Sequence, residues 1–129
     1  ALRRAAKSLD NSVPRELARV IAGKGKFPTL GPPSRDDVFV TAAEDIAGLN
    51  SRQIAQRLTI READEFTVIR FRTPSSGLAT PINRSDPGFV GRGRTAGNAR
   101  EFVIPNGPIP ADARIEVIGK CNSSPKRQL

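Results

Sequence analysis

The chain contains no histidine, no tryptophan, no tyrosine, no methionine and only one cysteine, Cys121. Without histidine it lacks the commonest general base and the commonest metal ligand, so every mechanism that needs an imidazole is excluded. One cysteine excludes an internal disulfide. Its neighbours Asn122, Ser123, Ser124 and Pro125 suit a solvated, flexible tail over 120–129 better than a nucleophile's pocket. The six phenylalanines are the whole aromatic content, so the core must be aliphatic. The sequence therefore lacks the aromatic platforms typical of single-strand binders. No apolar run reaches the length of a membrane span, and no secretory signal opens at Ala1. The first residue is not Met, which suggests excision from a longer precursor.

What is present is positive charge. Twenty-one Lys and Arg against thirteen Asp and Glu give a net charge of +8 and an isoelectric point near 11. Such a field attracts polyanions: nucleic acid, an acidic protein or an anionic surface. At 129 residues the chain is long enough for one domain with one core, and eleven Pro with eleven Gly demand many turns.

In chain order, 1–12 reads as a short basic helix or a linker. Ser12 and Pro14 then open a helix with Leu17, Val20 and Ile21 on its apolar face and Gly23 at its end. Lys24 and Lys26 lie in a short basic loop that lacks the spacing of a nucleotide-binding P-loop. Ser34 and Asp37 resemble a capping box for a second helix across 36–47 that draws on Val38, Ala42, Ala43 and Ile46. Asn50 or Ser51 caps a third, carrying Ile54, Ala55 and Leu58. The run from Gly48 to Leu58 resembles the first part of a LuxR-type helix-turn-helix. A recognition helix should follow. Instead Phe66 to Pro74 is rich in β-branched and aromatic residues, which marks a strand.

From Phe66 onward the sequence is strand and turn, with strands expected over 66–72, 78–82, 100–104 and 114–118. The connections are too short for helical crossovers, so the sheet should be antiparallel. The expectation is α+β: N-terminal helices packed on a C-terminal antiparallel sheet of about four strands, in a single domain spanning 1–129. Period two puts Arg70 and Arg72 on one face.

The densest chemistry lies in Gly91 to Ile104, GRGRTAGNAREFVI, a glycine-rich loop that runs into a strand. Gly91, Gly93 and Gly97 permit close backbone approach, and Arg92, Arg94 and Arg100 offer planar forks suited to phosphate or carboxylate. Glu101 is the only carboxylate in the unit. Metal-independent RNA cleavage needs a base for the 2′-OH, cations for the phosphorane and a donor for the leaving oxygen. Glu101 is the candidate base. Arg72 and Arg100 are candidate stabilisers and Thr95 a hydroxyl contact, with Arg70, Arg92, Arg94, Lys24 and Lys26 as substrate-binding cations. Arg114 and Glu116 read as a solvated edge. No metal and no cofactor is called for.

Gly77 to Pro81, Asp86 to Phe89 and Gly91 to Pro110 together resemble the C-terminal toxin domains of bacterial polymorphic toxins, the tips of contact-dependent inhibition (CdiA-type) and Rhs-type effectors. The layout and charge further resemble the barnase/EndoU/colicin/RelE group of toxin ribonucleases, although the EndoU histidines are missing. The resemblance implies secretion within a larger effector and delivery to the cytoplasm of a target bacterium. It also implies RNA, often transfer RNA, as substrate and a dedicated acidic immunity protein as partner. Such tips also include ADP-ribosyltransferases, for which Arg70 or Arg72, Ser75, Ser76 or Thr95, and Glu101 would be the matching residues. A basic RNA-binding module without catalysis is the third alternative.

Overall fold

The computed structural model describes residues 12–25, 27–80 and 93–120. The segment 1–11, Lys26, the stretch 81–92 with Arg92, and Cys121 with the rest of the tail lie outside the described residues.

The described residues form one five-stranded antiparallel sheet: β1 (Glu16–Ala22), β2 (Asp37–Ala42), β3 (Glu65–Arg72), β4 (Glu101–Pro105) and β5 (Arg114–Gly119), in the order β4-β2-β1-β3-β5. One helix, α1 (Ser51–Leu58), and a 3-10 turn over Ala43–Asp45 complete the described regular structure. The expected arrangement of N-terminal helices on a C-terminal sheet is therefore corrected: two of the three expected helices are strands. Glu16–Ala22 carries Leu17, Val20 and Ile21 at helical spacing, yet it sits at the centre of the sheet and is covered on both faces. A strand buried on both sides shows a near-continuous apolar run, which periodicity alone does not separate from a helix. In Asp37–Ala42 the bulk of Val38, Phe39, Val40 and Thr41 favours the pleated surface, and only the next three residues coil.

The third helix forms where expected. Asn50 accepts from the Gln53 backbone N–H at 2.9 Å and donates its own to Gln53 Oε1 at 2.9 Å, a reciprocal cap. β3 follows α1 after a short connection, so no recognition helix stands in that place. The expected strands over 66–72, 100–104 and 114–118 correspond to β3, β4 and β5. Of 78–82, only Ala79 is bridged to β4, and 81–82 lie outside the described residues.

Each face of the sheet has its own core. On the loop side Leu17, Val40, Ile69, Phe71 and Phe102 pack beneath Leu30, Leu78 and Ile109. On the helix side Ala18, Phe66, Val68 and Ile118 pack beneath Ala43, Ile46, Ile54 and Ala55. β1 and β2 are in register only over Leu17↔Ala42 and Ala18↔Thr41. Beyond that point Arg19 donates from Nε to the Leu30 carbonyl (2.8 Å) and from a terminal nitrogen to the Phe39 carbonyl (3.1 Å), which satisfies backbone acceptors between the strands. Burial, with the charge of Arg35, lowers the Arg19 pKa.

Candidate functional site

The glycine-rich loop is bound to the end of α1. The Thr95 hydroxyl donates to the Arg57 carbonyl at 2.6 Å and accepts from the Ala99 N–H at 3.1 Å. The Gly97 N–H donates to Thr59 Oγ1 at 3.2 Å, and Arg57 donates back to the Gly97 carbonyl at 2.9 Å. These contacts satisfy carbonyls that a helix terminus leaves unpaired. A Cβ at Gly97 would lie 2.3 Å from the Arg57 carbonyl oxygen, so the close approach requires glycine.

Arg100 anchors the same unit. Its guanidinium takes both oxygens of Asp45, at 3.0 and 2.9 Å, and its backbone N–H adds a third bond at 2.8 Å. A further terminal N–H goes to Glu44, and the other terminal nitrogen reaches the Ser12 carbonyl and hydroxyl at 3.2 and 3.0 Å. The hydrogen bonds to Asp45 hold the guanidinium charged and raise its pKa against the opposing effect of burial, and Glu44 adds to the rise. Burial disfavours the Asp45 carboxylate, but the Arg100 side-chain and backbone hydrogen bonds, with the charges of Arg100 and Arg57, prevail and lower its pKa. This fork joins the 3-10 turn, β4 and the residues before β1.

Register aligns Glu101, Thr41, Ala18, Arg70 and Arg114 in one row across the helix-side face of all five strands, with charged groups only at its two ends. Ala43 and Ile46 share a buried apolar cluster with Ala18, at the middle of the row. At the β5 end lies a cleft of about 330 Å³ lined by Arg15, Glu16, Glu44, Arg70 and Arg114. Arg114 donates to both oxygens of Glu16 at 2.6 and 2.7 Å, and Arg70 donates to Glu116 at 2.6 Å. Arg72 stands opposite Glu16 on β3, and its backbone N–H is held by Asp112 at 2.8 Å. The Arg70 side chain is mostly buried, at 15% exposure, whereas that of Arg114 is 65% exposed. Each guanidinium meets its carboxylate through a single terminal nitrogen, and the remaining N–H groups at the rim of an open cleft suit phosphate oxygens.

At the other end, Glu101 lines a smaller cavity of about 90 Å³ with Arg19, Phe39, Leu58 and Ile60. Three strand spacings of ~4.8 Å put it about 14 Å from the strand that carries Arg70. Among the expected site residues, then, Arg70 and Arg72 share one end of the face and Glu101 the other. Thr95 and Arg100 are committed to the clasp. Arg94 donates to the Asn98 carbonyl and side chain, both at 3.3 Å, and Lys24 is exposed beyond the far end of β1 from the cleft. Lys26 and Arg92 lie outside the described residues. Among the cleft residues, the sequence reading did not single out Arg15, Glu16 or Glu44, and it took Arg114 for a solvated edge. The first two fell within an expected helix. The alternation of Arg114 and Glu116 gave them a common face, but only the strand order sets that face beside Arg70.

Among the described residues no group of three or more Cys, Asp or Glu stands close enough to hold a metal ion. No helix among them is long and apolar enough to cross a membrane. A family model described as "Novel toxin 10" matches residues 2–119. No curated protein and no solved structure matches the chain.

Proposed function

The chain belongs to the Novel toxin 10 family, and from that premise we propose that this toxin domain is a ribonuclease working in the Arg15, Glu16, Arg70 and Arg114 cleft. Delivered as the tip of a larger effector into a target bacterium, it cuts RNA, transfer RNA being the expected substrate, and a cognate acidic immunity protein holds it inactive in the producer. The observation that carries this reading is the meeting of three arginines and Glu16 in one open cleft, in a chain of net charge +8.

In this reading Glu16 takes the proton of an internal 2′-OH. The 2′-oxygen attacks the adjacent phosphorus, the bond to the 5′-oxygen breaks, and water protonates the leaving oxygen. Arg70, Arg114 and Arg15 stabilise the charge that builds on the phosphorane, with Arg72 at the same end of the face. The products are a 2′,3′-cyclic phosphate and a free 5′-hydroxyl. No metal ion takes part in these steps.

The test compares the two ends of the row. Glu16→Gln should lower RNA cleavage by about 100-fold or more, the usual worth of a positioned base. Glu101→Gln should stay within a few fold of wild type. If Glu101→Gln is the variant that loses activity, the chemistry belongs to the smaller cavity and the assignment of Glu16 as base fails.

A further inference from the structure

We propose that the outer edge of β5 is the docking line for a protein partner that adds an extended, acidic strand to the sheet. The two sheet edges differ. The outer edge of β4 is engaged: Ala79 and Val103 exchange backbone hydrogen bonds at 3.0 and 2.8 Å, and the Glu101 N–H goes to the Gly93 carbonyl. β5 pairs only with β3 among the described residues, in uninterrupted register from Glu65↔Gly119 to Arg70↔Arg114. Neither proline, lysine nor a bulge blunts its middle, and the one charge there, Glu116, is paired with Arg70 on its own sheet. On the loop side Ile115 and Val117 are 57% and 44% exposed, side by side by period two.

The chemistry of the edge selects its occupant. An open edge offers backbone donors and acceptors in alternation, which another peptide backbone matches and a phosphate chain, offering acceptors only, does not. A second copy of this chain would bring another +8. An added strand would place alternate side chains beside Arg114 and Glu116 on the helix side, and since Arg70 holds Glu116, its carboxylates would meet Arg114 at one end and Lys120, 58% exposed, just past the other. The intervening side chains would lie against Ile115 and Val117. The fitting segment therefore alternates carboxylates with aliphatic residues. Because Arg114 forms one wall of the cleft and Glu116 holds Arg70, such a strand would also close the cleft. That last consequence rests on the proposed function, whereas the docking itself does not.

The probe is a short fluorescein-labelled peptide alternating glutamate and valine, read by anisotropy and by hydrogen exchange of the β5 amides. We expect binding that weakens with salt and protection confined to 114–119. Affinity should fall at least about tenfold in Ile115→Asp with Val117→Asp, while RNA cleavage stays unchanged. Ile115→Thr with Val117→Thr retains strand propensity and should show an intermediate loss, which guards against a folding defect. No binding at millimolar peptide, equal affinity in both variants, or protection elsewhere overturns the proposal. So does sedimentation showing that wild type alone pairs through this edge. If β5 is protected by the peptide but the domain without peptide leaves RNA intact, the nuclease reading falls and docking stands. Cleaved RNA with an unprotected β5 means the reverse.

Discussion

Arg100 and Asp45 tie three parts of the chain together through one fork, and that pair gives the fold one acid-sensitive contribution to its stability. The Asp45 pKa is lowered in the folded state. A depressed carboxylate adds stability above its unfolded value, about 3.9, and loses that contribution as pH falls through the lower folded value. Urea unfolding from pH 7 to pH 3 should therefore show Asp45→Asn less stable at neutral pH by at least about 1.5 kcal/mol, the worth of charge-assisted hydrogen bonds. The gap to wild type should narrow below about pH 4. A gap that stays constant with pH would remove Asp45 as the titrating group. The sequence marked Arg100 by its charge and its place at the start of an expected strand. It could not supply Asp45, a partner 55 positions away, and so did not show that carboxylates hold Arg100.

At the scale of elements, the later strands were legible because Phe66 to Arg72, Glu101 to Ile104 and Arg114 to Ile118 combine β-branched residues with nearby turns. α1 was legible from a cap at Asn50 or Ser51 and the spacing of Ile54, Ala55 and Leu58. β1 was not, since a central strand buries Leu17 and Ala18 toward opposite cores and so imitates a helix buried all round. That error hid Glu16 and Arg15, and with them the cleft. The glycine loop was recognised as a close-approach element, but what approaches is the carbonyl end of α1. Gly97→Ala should accordingly cost about 1–3 kcal/mol by overpacking, measured by thermal unfolding. Gly107→Ala, where an added Cβ meets nothing within 4 Å, should stay within about 0.5 kcal/mol of wild type. Equal stability of the two variants would contradict the clasp.

For the whole molecule, charge and sheet order act together. The net +8 brings polyanions to the surface, and the order β4-β2-β1-β3-β5 collects Arg70 and Arg114 beside Glu16 at one end of a face. Three phosphate contacts on single-stranded RNA predict a slope of about −2 for log affinity against log salt, at roughly 0.7 per phosphate. A flat response would point to an uncharged or small substrate. The most direct measurement incubates the purified domain with total bacterial RNA in EDTA, with and without NAD, and follows RNA length, end groups and nicotinamide release. Discrete fragments ending in 2′,3′-cyclic phosphate, formed equally with and without NAD, are the predicted result; intact RNA with NAD-dependent release of nicotinamide would contradict it.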